Sequence, residues 1–427
     1  MRQTTDFLLL MLPLLFSSCG KATTDTPVPE EEAVPVRFDT YVAKSATTRA
    51  ADDLTLSNIS DLATLRNAGF VVFGYYDDNK EYSSTDDIPN FMYKQKVTWN
   101  ETSKAWQYAP LKYWPQETGS DESDGRADRL SFFACAPYLN NDSRLTFSGS
   151  NAKGDPVATY TTPDDLGKCL DVLYATRADG QPLTNMTKQS VGDSVTMYFH
   201  HTMSRLNFNV RGAFDEVAAG DSAKADSTRI TVESIVLETE SGDDTTDPLF
   251  FTSGTLNLNT GIWSNAANSA SGTPKITLSG GALNSDVLDQ GDKLVYQMKD
   301  GDGKIIPGVD ETWRNAGNGY LTLLPNTGIT MSKAPKLKIT IVYYTTSDDS
   351  RLVLSGGRSR VKNTVSNTLS GFIFERGKAY AINMLIGMTS VKFTVQVQIW
   401  RDPITFSPIV EDWSNGGSTI NFDNIDD

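Results

Sequence analysis

Val391, Phe393, Val395, Val397 and Ile399 alternate with Lys392, Thr394, Gln396 and Gln398, an unbroken separation of apolar from polar side chains with a period of two. An extended strand with one face on a core satisfies that period, and an α-helix, which repeats every ~3.6 residues, does not. Comparable strand signals recur in FVVFGYY (70–76), KQKVTW (94–99), RLSFFACAPY (129–138), DVLYATRA (171–178), TRITVESIVLET (228–239), SGTLNLNTGIW (253–263), GYLTLLPN (319–326), KLKITIVYY (336–344) and KAYAINMLIG (378–387). Clusters of Gly, Asn, Asp and Ser separate them. One helix is expected, in LSNISDLATLRNAG (56–69), where Ile59, Leu62 and Leu65 share a face and Gly69 stops the run. Runs of strands with few helices specify an all-β chain built of β-sandwiches.

The 427 residues hold material for two domains, and the polar stretch AFDEVAAGDSAKADST (213–228) separates two strand-rich halves. We expect an N-terminal sandwich over 50–218 and a C-terminal one over 219–427. Within SVTMYFHHTMSRLNFNV (194–210), Val195, Met197, Phe199, His201 and Met203 share one parity, whereas Leu206, Phe208 and Val210 share the other. A bulge or kink is therefore expected near Ser204.

The chain opens with MRQTTDFLLLMLPLLFSSCG, in which Arg2 precedes an apolar run from Phe7 to Phe16 and two serines precede Cys19. The run is shorter than the ~20 apolar residues of a spanning helix, and its layout is that of a bacterial lipoprotein export signal over 1–18. Cys19 is then the candidate for acylation, becoming the mature N-terminus and anchoring the precursor in a membrane. Residues 19–33 include KATTDTPVPEEE, an acidic, proline-containing tether that stays solvated. Val34, Val36, Phe38, Thr40 and Val42 then alternate as a strand, followed by the small-residue loop KSATTRAADD, so that 34–49 form a first strand and a protease-accessible loop. Arg49 before Ala50 is either a trypsin-like cleavage site or a plain surface arginine.

Chemistry leaves few marks. The formal net charge of −15 opposes nucleic acid and anionic lipid surfaces. With Cys19 reserved for lipid, Cys135 and Cys169 could form at most one disulfide, and Cys135 within an apolar strand reads as a buried free thiol. His200 and His201 are the only histidines and, as neighbours in a strand, point to opposite faces. No HExxH, CxxC, GxSxG, Walker A or GxGxxG sequence is present. DGDGK (300–304) and SDESDGRAD (120–128) lack the spacing of an EF-hand loop and read as solvated turns. No catalytic residue, metal or cofactor is expected. The aromatic cluster WNETSKAWQYAPLKYWP (99–115) leaves two readings, since Trp106, Tyr108, Tyr113 and Trp114 suit either a glycan-stacking platform or core packing.

Several of these segments together resemble the fimbrillin family of Bacteroidales, the subunits of lipoprotein-derived (type V) pili: FSSC, VPVRFDTYV followed by TTRA, FVVFGYY, AWQYAPLKYWP with LSFFACAPY, DVLYA, YFHHTMSRLNFNV, SGTLNLNTGIW, and GKAYAINMLIG before VKFTVQVQIW. The resemblance implies two tandem transthyretin-like β-sandwiches and a lipidated precursor at the cell outer membrane. It also implies proteolysis after Arg49 that removes the first strand, and assembly into a fimbrium by strand exchange. The donor strand would come from the C-terminal region of a neighbouring subunit, either Val391, Phe393, Val395, Val397 and Ile399 or Ile420 and Phe422. Implied partners are other fimbrillin subunits (stalk, tip or anchor), a trypsin-like protease, and a host or bacterial surface ligand. Two alternatives stay open: an uncleaved pilus anchor, and a monomeric surface lipoprotein that keeps Cys19 and binds glycans through the aromatic cluster.

Overall fold

The computed structural model describes residues 34–42, 59, 61–77, 80–115, 128–163, 168–192, 194–212, 228–240, 249–267, 276–279, 293–295, 297–299, 305–307, 320–326, 335–348, 358–371, 373–386, 391–399 and 419–421. The first half holds β1 (Phe38–Val42), β2 (Phe70–Tyr76), β3 (Met92–Asn100), β4 (Ala105–Gln107), β5 (Leu130–Ala136), β6 (Leu145–Phe147), β7 (Val157–Thr161), β8 (Leu173–Thr176), β9 (Leu183–Met186), β10 (Val195–His201) and β11 (Ser204–Gly212). The second holds β12 (Thr228–Thr239), β13 (Ser253–Asn257), β14 (Trp263–Ala267), β15 (Ile276–Ser279), β16 (Lys293–Val295), β17 (Gln297–Lys299), β18 (Ile305–Pro307), β19 (Tyr320–Leu323), β20 (Lys336–Asp348), β21 (Arg358–Ser370), β22 (Lys378–Ile386), β23 (Val391–Ile399) and β24 (Thr419–Asn421). The described helices are α1 (Leu62–Ala68) and α2 (Lys188–Val191), so the chain is all-β in class.

An eight-stranded sheet in the order β1-β10-β8-β5-β2-β3-β4, with β9 beside β5, dominates the first unit. Its central strands are buried on both faces, which is why FVVFGYY and LSFFACA are continuous apolar runs rather than alternating ones. Val71, Phe73, Tyr75, Phe133 and Cys135 pack against a four-stranded sheet, β14-β13-β7-β6, through Ala158, Tyr160, Leu256 and Trp263. Phe70, Val72, Leu130, Phe132 and Ala134 face the other way, into a core shared with Phe38 of β1, Trp106 of β4, Phe199 of β10 and Leu65 of α1.

The two ends of this sheet meet. β1 and β4 lie at opposite ends of the strand order, yet Val36 N donates to Lys112 O at 2.9 Å and Trp114 N to Val34 O at 2.9 Å. The sheet therefore rolls around its own core, and β1 is the element that closes it.

α1 is shorter than expected. Asp61 caps it, its Oδ1 accepting from Thr64 N at 2.7 Å while Thr64 Oγ1 accepts from Asp61 N at 3.0 Å. Ile59 therefore stands outside the helix, buried, with its N–H donated to Asp171 Oδ2 at 2.9 Å. Gly69 ends the helix as expected, at φ 64°, where an added Cβ would lie 3.0 Å from Val97 O.

The second unit pairs the sheet β19-β11-β22-β23-β24 with β15-β12-β20-β21, β16 also joining β12, around Leu206, Ile235, Ile339, Ile341, Leu369, Phe374, Ile382 and Val395. The expected division at 218/219 is corrected in two places. β11 pairs with β19 and β22 and so belongs to the second unit, while the β13–β14 hairpin pairs with β7 and completes the first. The parity switch at Ser204 marks that first crossing: Phe199 packs in the rolled core, and Leu206 in the second. Trp263, 1% exposed, fixes the hairpin by donating its indole N–H to Thr202 O at 2.8 Å.

Cys135 and Cys169 are buried and not joined in a disulfide, and burial pushes the Cys135 thiol up. Asp77, at the end of β2, is buried and accepts from Ser131 Oγ at 3.0 Å. Burial is the main cause that pushes its carboxyl up to about 6.

Two outcomes follow for stability. Trp263→Ala is expected to cost ~3–5 kcal/mol in denaturant unfolding, against less than about 0.5 kcal/mol for the exposed neighbouring Ile262→Ala. The native state holds the Asp77 proton more tightly than the unfolded chain does, so this group's contribution is fully present below the unfolded pKa and is lost as pH rises through about 6. Asp77→Asn should remove that fall, worth at most roughly 3 kcal/mol, from melting curves taken between about pH 4 and 6.

Candidate strand-exchange site

Residues 34–42 present two rows. Val36, Phe38, Thr40 and Val42 are buried, while Arg37, Asp39 and Tyr41 are exposed. The inner row is what an extended strand does with the alternation of VPVRFDTYV. β1 runs parallel to β10, with Phe38 opposite Val195 and Val42 opposite Phe199. Val195 N donates to Arg37 O at 2.8 Å, extending the ladder.

The opposite wall is built from the aromatic cluster. Tyr108 Oη donates to Val36 O at 2.7 Å, and Trp106 Nε1 donates to Thr40 Oγ1 at 2.9 Å. Phe38 fills the floor between Tyr108, Phe132 and Phe70, with ring centroids 5.5, 5.7 and 6.5 Å away. Burying such a side chain contributes roughly 1.5–3 kcal/mol. Burial also pushes the Tyr108 phenol up, keeping it a neutral donor. Removing residues 34–42 would bare an apolar trough and leave Val195 N, Trp114 N and Trp106 Nε1 without the partners they have here.

The four candidate glycan aromatics thus do not share a solvent-facing platform. Trp106 and Trp114 are 8% and 5% exposed and Tyr108 is half-buried; only Tyr113, at 47%, is open. The reason is β1, which covers the cluster from a distant part of the sequence. Of the donor candidates, β23 lies between β22 and β24, with Val395 wholly buried in the second core and Val391 packed against it. Phe393, Val397 and Ile399 share that strand, and Ile420 sits in β24 opposite Val395. Cys19, Arg49, Ala50 and Phe422 lie outside the described residues.

The histidines face apart as expected. His200 Nε2 bonds Thr176 Oγ1 at 2.8 Å, and burial lowers its pKa; His201 Nδ1 meets the buried Asp171 Oδ1 at 3.0 Å. Among the described residues no group of three or more His, Cys, Asp or Glu could hold a metal ion, and no helix is long and apolar enough to cross a membrane. Sequence reasoning missed Thr40 as a contact residue. Its signal was visible, a lone hydroxyl in an otherwise apolar row.

Residues 48–400 match the family model described as fimbrillin-like. The chain belongs to this family. A curated relative, the fimbrium subunit Fim1C of Phocaeicola vulgatus, is 27% identical over 214 residues, covering 48% of this chain and 50% of the relative. This fimbrillin-like chain thus spans about half the length of the curated relative it matches. Its fold is shared with a fimbrial protein from Bacteroides vulgatus solved by crystallography, at a TM-score of 0.58 and 21% identity, covering 86% of this chain and 99% of that one.

Phe38→Ala in this fimbrillin-like protein should cost ~3–5 kcal/mol of unfolding free energy, and Asp39→Ala on the exposed row should stay within about 0.5 kcal/mol. Equal effects of the two would contradict the assignment of faces.

Proposed function

We propose that the protein is a subunit of a surface fimbrium, with no catalytic role, whose first sheet is opened by removal of β1 and closed again by a strand of the next subunit. The observation that carries this reading is that residues 34–42, β1 included, join the two ends of the rolled sheet through main-chain and side-chain hydrogen bonds. A strand in that position is separable from the rest of the core once the chain is cut beside it. The family match begins at residue 48, so β1 lies outside it and Arg49 at its margin. That placement supports a mature chain of 50 onward, made of two β-units, with 1–18 as export signal, 19–33 as tether and 34–49 as the removable piece.

In this reading Cys19 carries lipid and holds the precursor at the outer membrane, and a trypsin-like protease cuts between Arg49 and Ala50. The vacated trough takes a strand by β-augmentation, recovering backbone hydrogen bonds and buried apolar area. Contacts of this type join unlike surfaces, do not close, and so build filaments. The donor segment we favour includes Ile420 and Phe422 rather than Val391 to Ile399. Withdrawing β23 would strip the second core of Val395 and of its ladder to β22.

N-terminal sequencing and intact mass of the protein from its host's surface test the processing step. A start at Ala50 without lipid is the expected result. A polymerised product that keeps an acylated Cys19 would contradict cleavage and favour an uncleaved anchor. Removing 418–427 from the chain should abolish polymer while leaving the melting of the first unit within ~1–2 °C.

A further inference from the structure

The groove around β1 carries one polar contact that its apolar lining does not require. Trp106, 8% exposed, donates its indole N–H to Thr40, itself 7% exposed, at 2.9 Å. The ring is held on Phe70 and Trp99, with centroids 4.8 and 5.5 Å away, so it is fixed in place to present its N–H to the trough. Thr40 is the single hydroxyl in a buried row otherwise made of Val36, Phe38 and Val42. The other polar contacts across this wall use main-chain groups of residues 34 and 36, which any sequence supplies.

We infer that Trp106 sets the register and sequence of whichever strand occupies the trough, by requiring a side-chain hydrogen-bond acceptor at the position of Thr40. This rests on the reading of β1 as replaceable. A slip of two residues keeps the same face inward but brings Phe38 or Val42 to the indole, and a buried donor without a partner costs far more than a neutral substitution. The incoming strand therefore carries the spacing apolar, aromatic, acceptor at every second residue. Ile420, Phe422 and Asn424 match the Val36, Phe38 and Thr40 positions in that order, which sets Asn424 at the Thr40 position and Asp426 at that of Val42. The row Val391, Phe393, Val395, Val397 and Ile399 has no acceptor at any step.

The test uses the full chain cut after Arg49 by a trypsin-like protease and challenged with fluorescent peptides of residues 33–43 and 418–427. Thr40→Val in the first peptide and Asn424→Leu in the second should weaken binding by roughly 5- to 100-fold, and Thr40→Ser by less than about threefold. On the Trp106→Phe protein the penalties of Thr40→Val and Asn424→Leu should disappear. Should Trp106→Phe not fold, the contrast of Thr40→Val with Thr40→Ser on the native protein decides alone. Equal binding of the Thr40 and Thr40→Val peptides would overturn the inference while leaving strand replacement intact. Binding of neither peptide, with β1 retained after the cut, would overturn strand replacement and the inference with it.

Discussion

The closure of the first sheet by β1 is the constraint on which the rest of the unit depends. Phe70, Phe132 and Leu130 sit on strands buried on both faces, and β1 and the aromatic wall, together with α1, cover one of those faces. The wall is in turn held by β1 through Trp106, Tyr108 and Trp114. Each depends on the other, so neither can be exchanged without the core opening along that seam.

On the proposed reading, this arrangement would reconcile a stable precursor with a reactive mature subunit. Buried apolar area on Val36, Phe38 and Val42 keeps β1 seated without any covalent tie beyond the chain itself. Were the chain cut beside it as proposed, the same area would drive whichever strand replaced it, so loss and gain would be matched in kind. The second unit behaves differently: β23 is paired along its whole length with β22 and is part of what its core is made of. The two units thus differ, one closed by an edge strand and one built around an interior strand.

Much of the fold was legible in local pattern. The alternation in 336–344 and 391–399 places β20 and β23 correctly, and the parity change at Ser204 records the passage from one core to the other. What stayed hidden was non-local. FVVFGYY and LSFFACA say that two faces are covered without saying by what, and nothing within SGTLNLNTGIW announces that β13 pairs with β7 about a hundred residues earlier. The aromatic cluster is the clearest case. Its composition fits either a sugar platform or a core, and the choice is made by Thr40, 66 residues away from Trp106.

A disulfide across two copies tests the central claim most directly. Tyr41 of β1 lies opposite Tyr198 of β10, and in the register proposed for the incoming strand Ile425 would take the place of Tyr41. Chains carrying Tyr198→Cys, coexpressed with chains carrying Ile425→Cys, should yield a disulfide-linked pair of unlike copies in polymer taken from the cell surface. The native Cys135 and Cys169 are buried and do not compete. Absence of that link in intact polymer, together with a disulfide within single chains of a Tyr41→Cys/Tyr198→Cys variant recovered from the same polymer, would mean that β1 never leaves and would contradict the account.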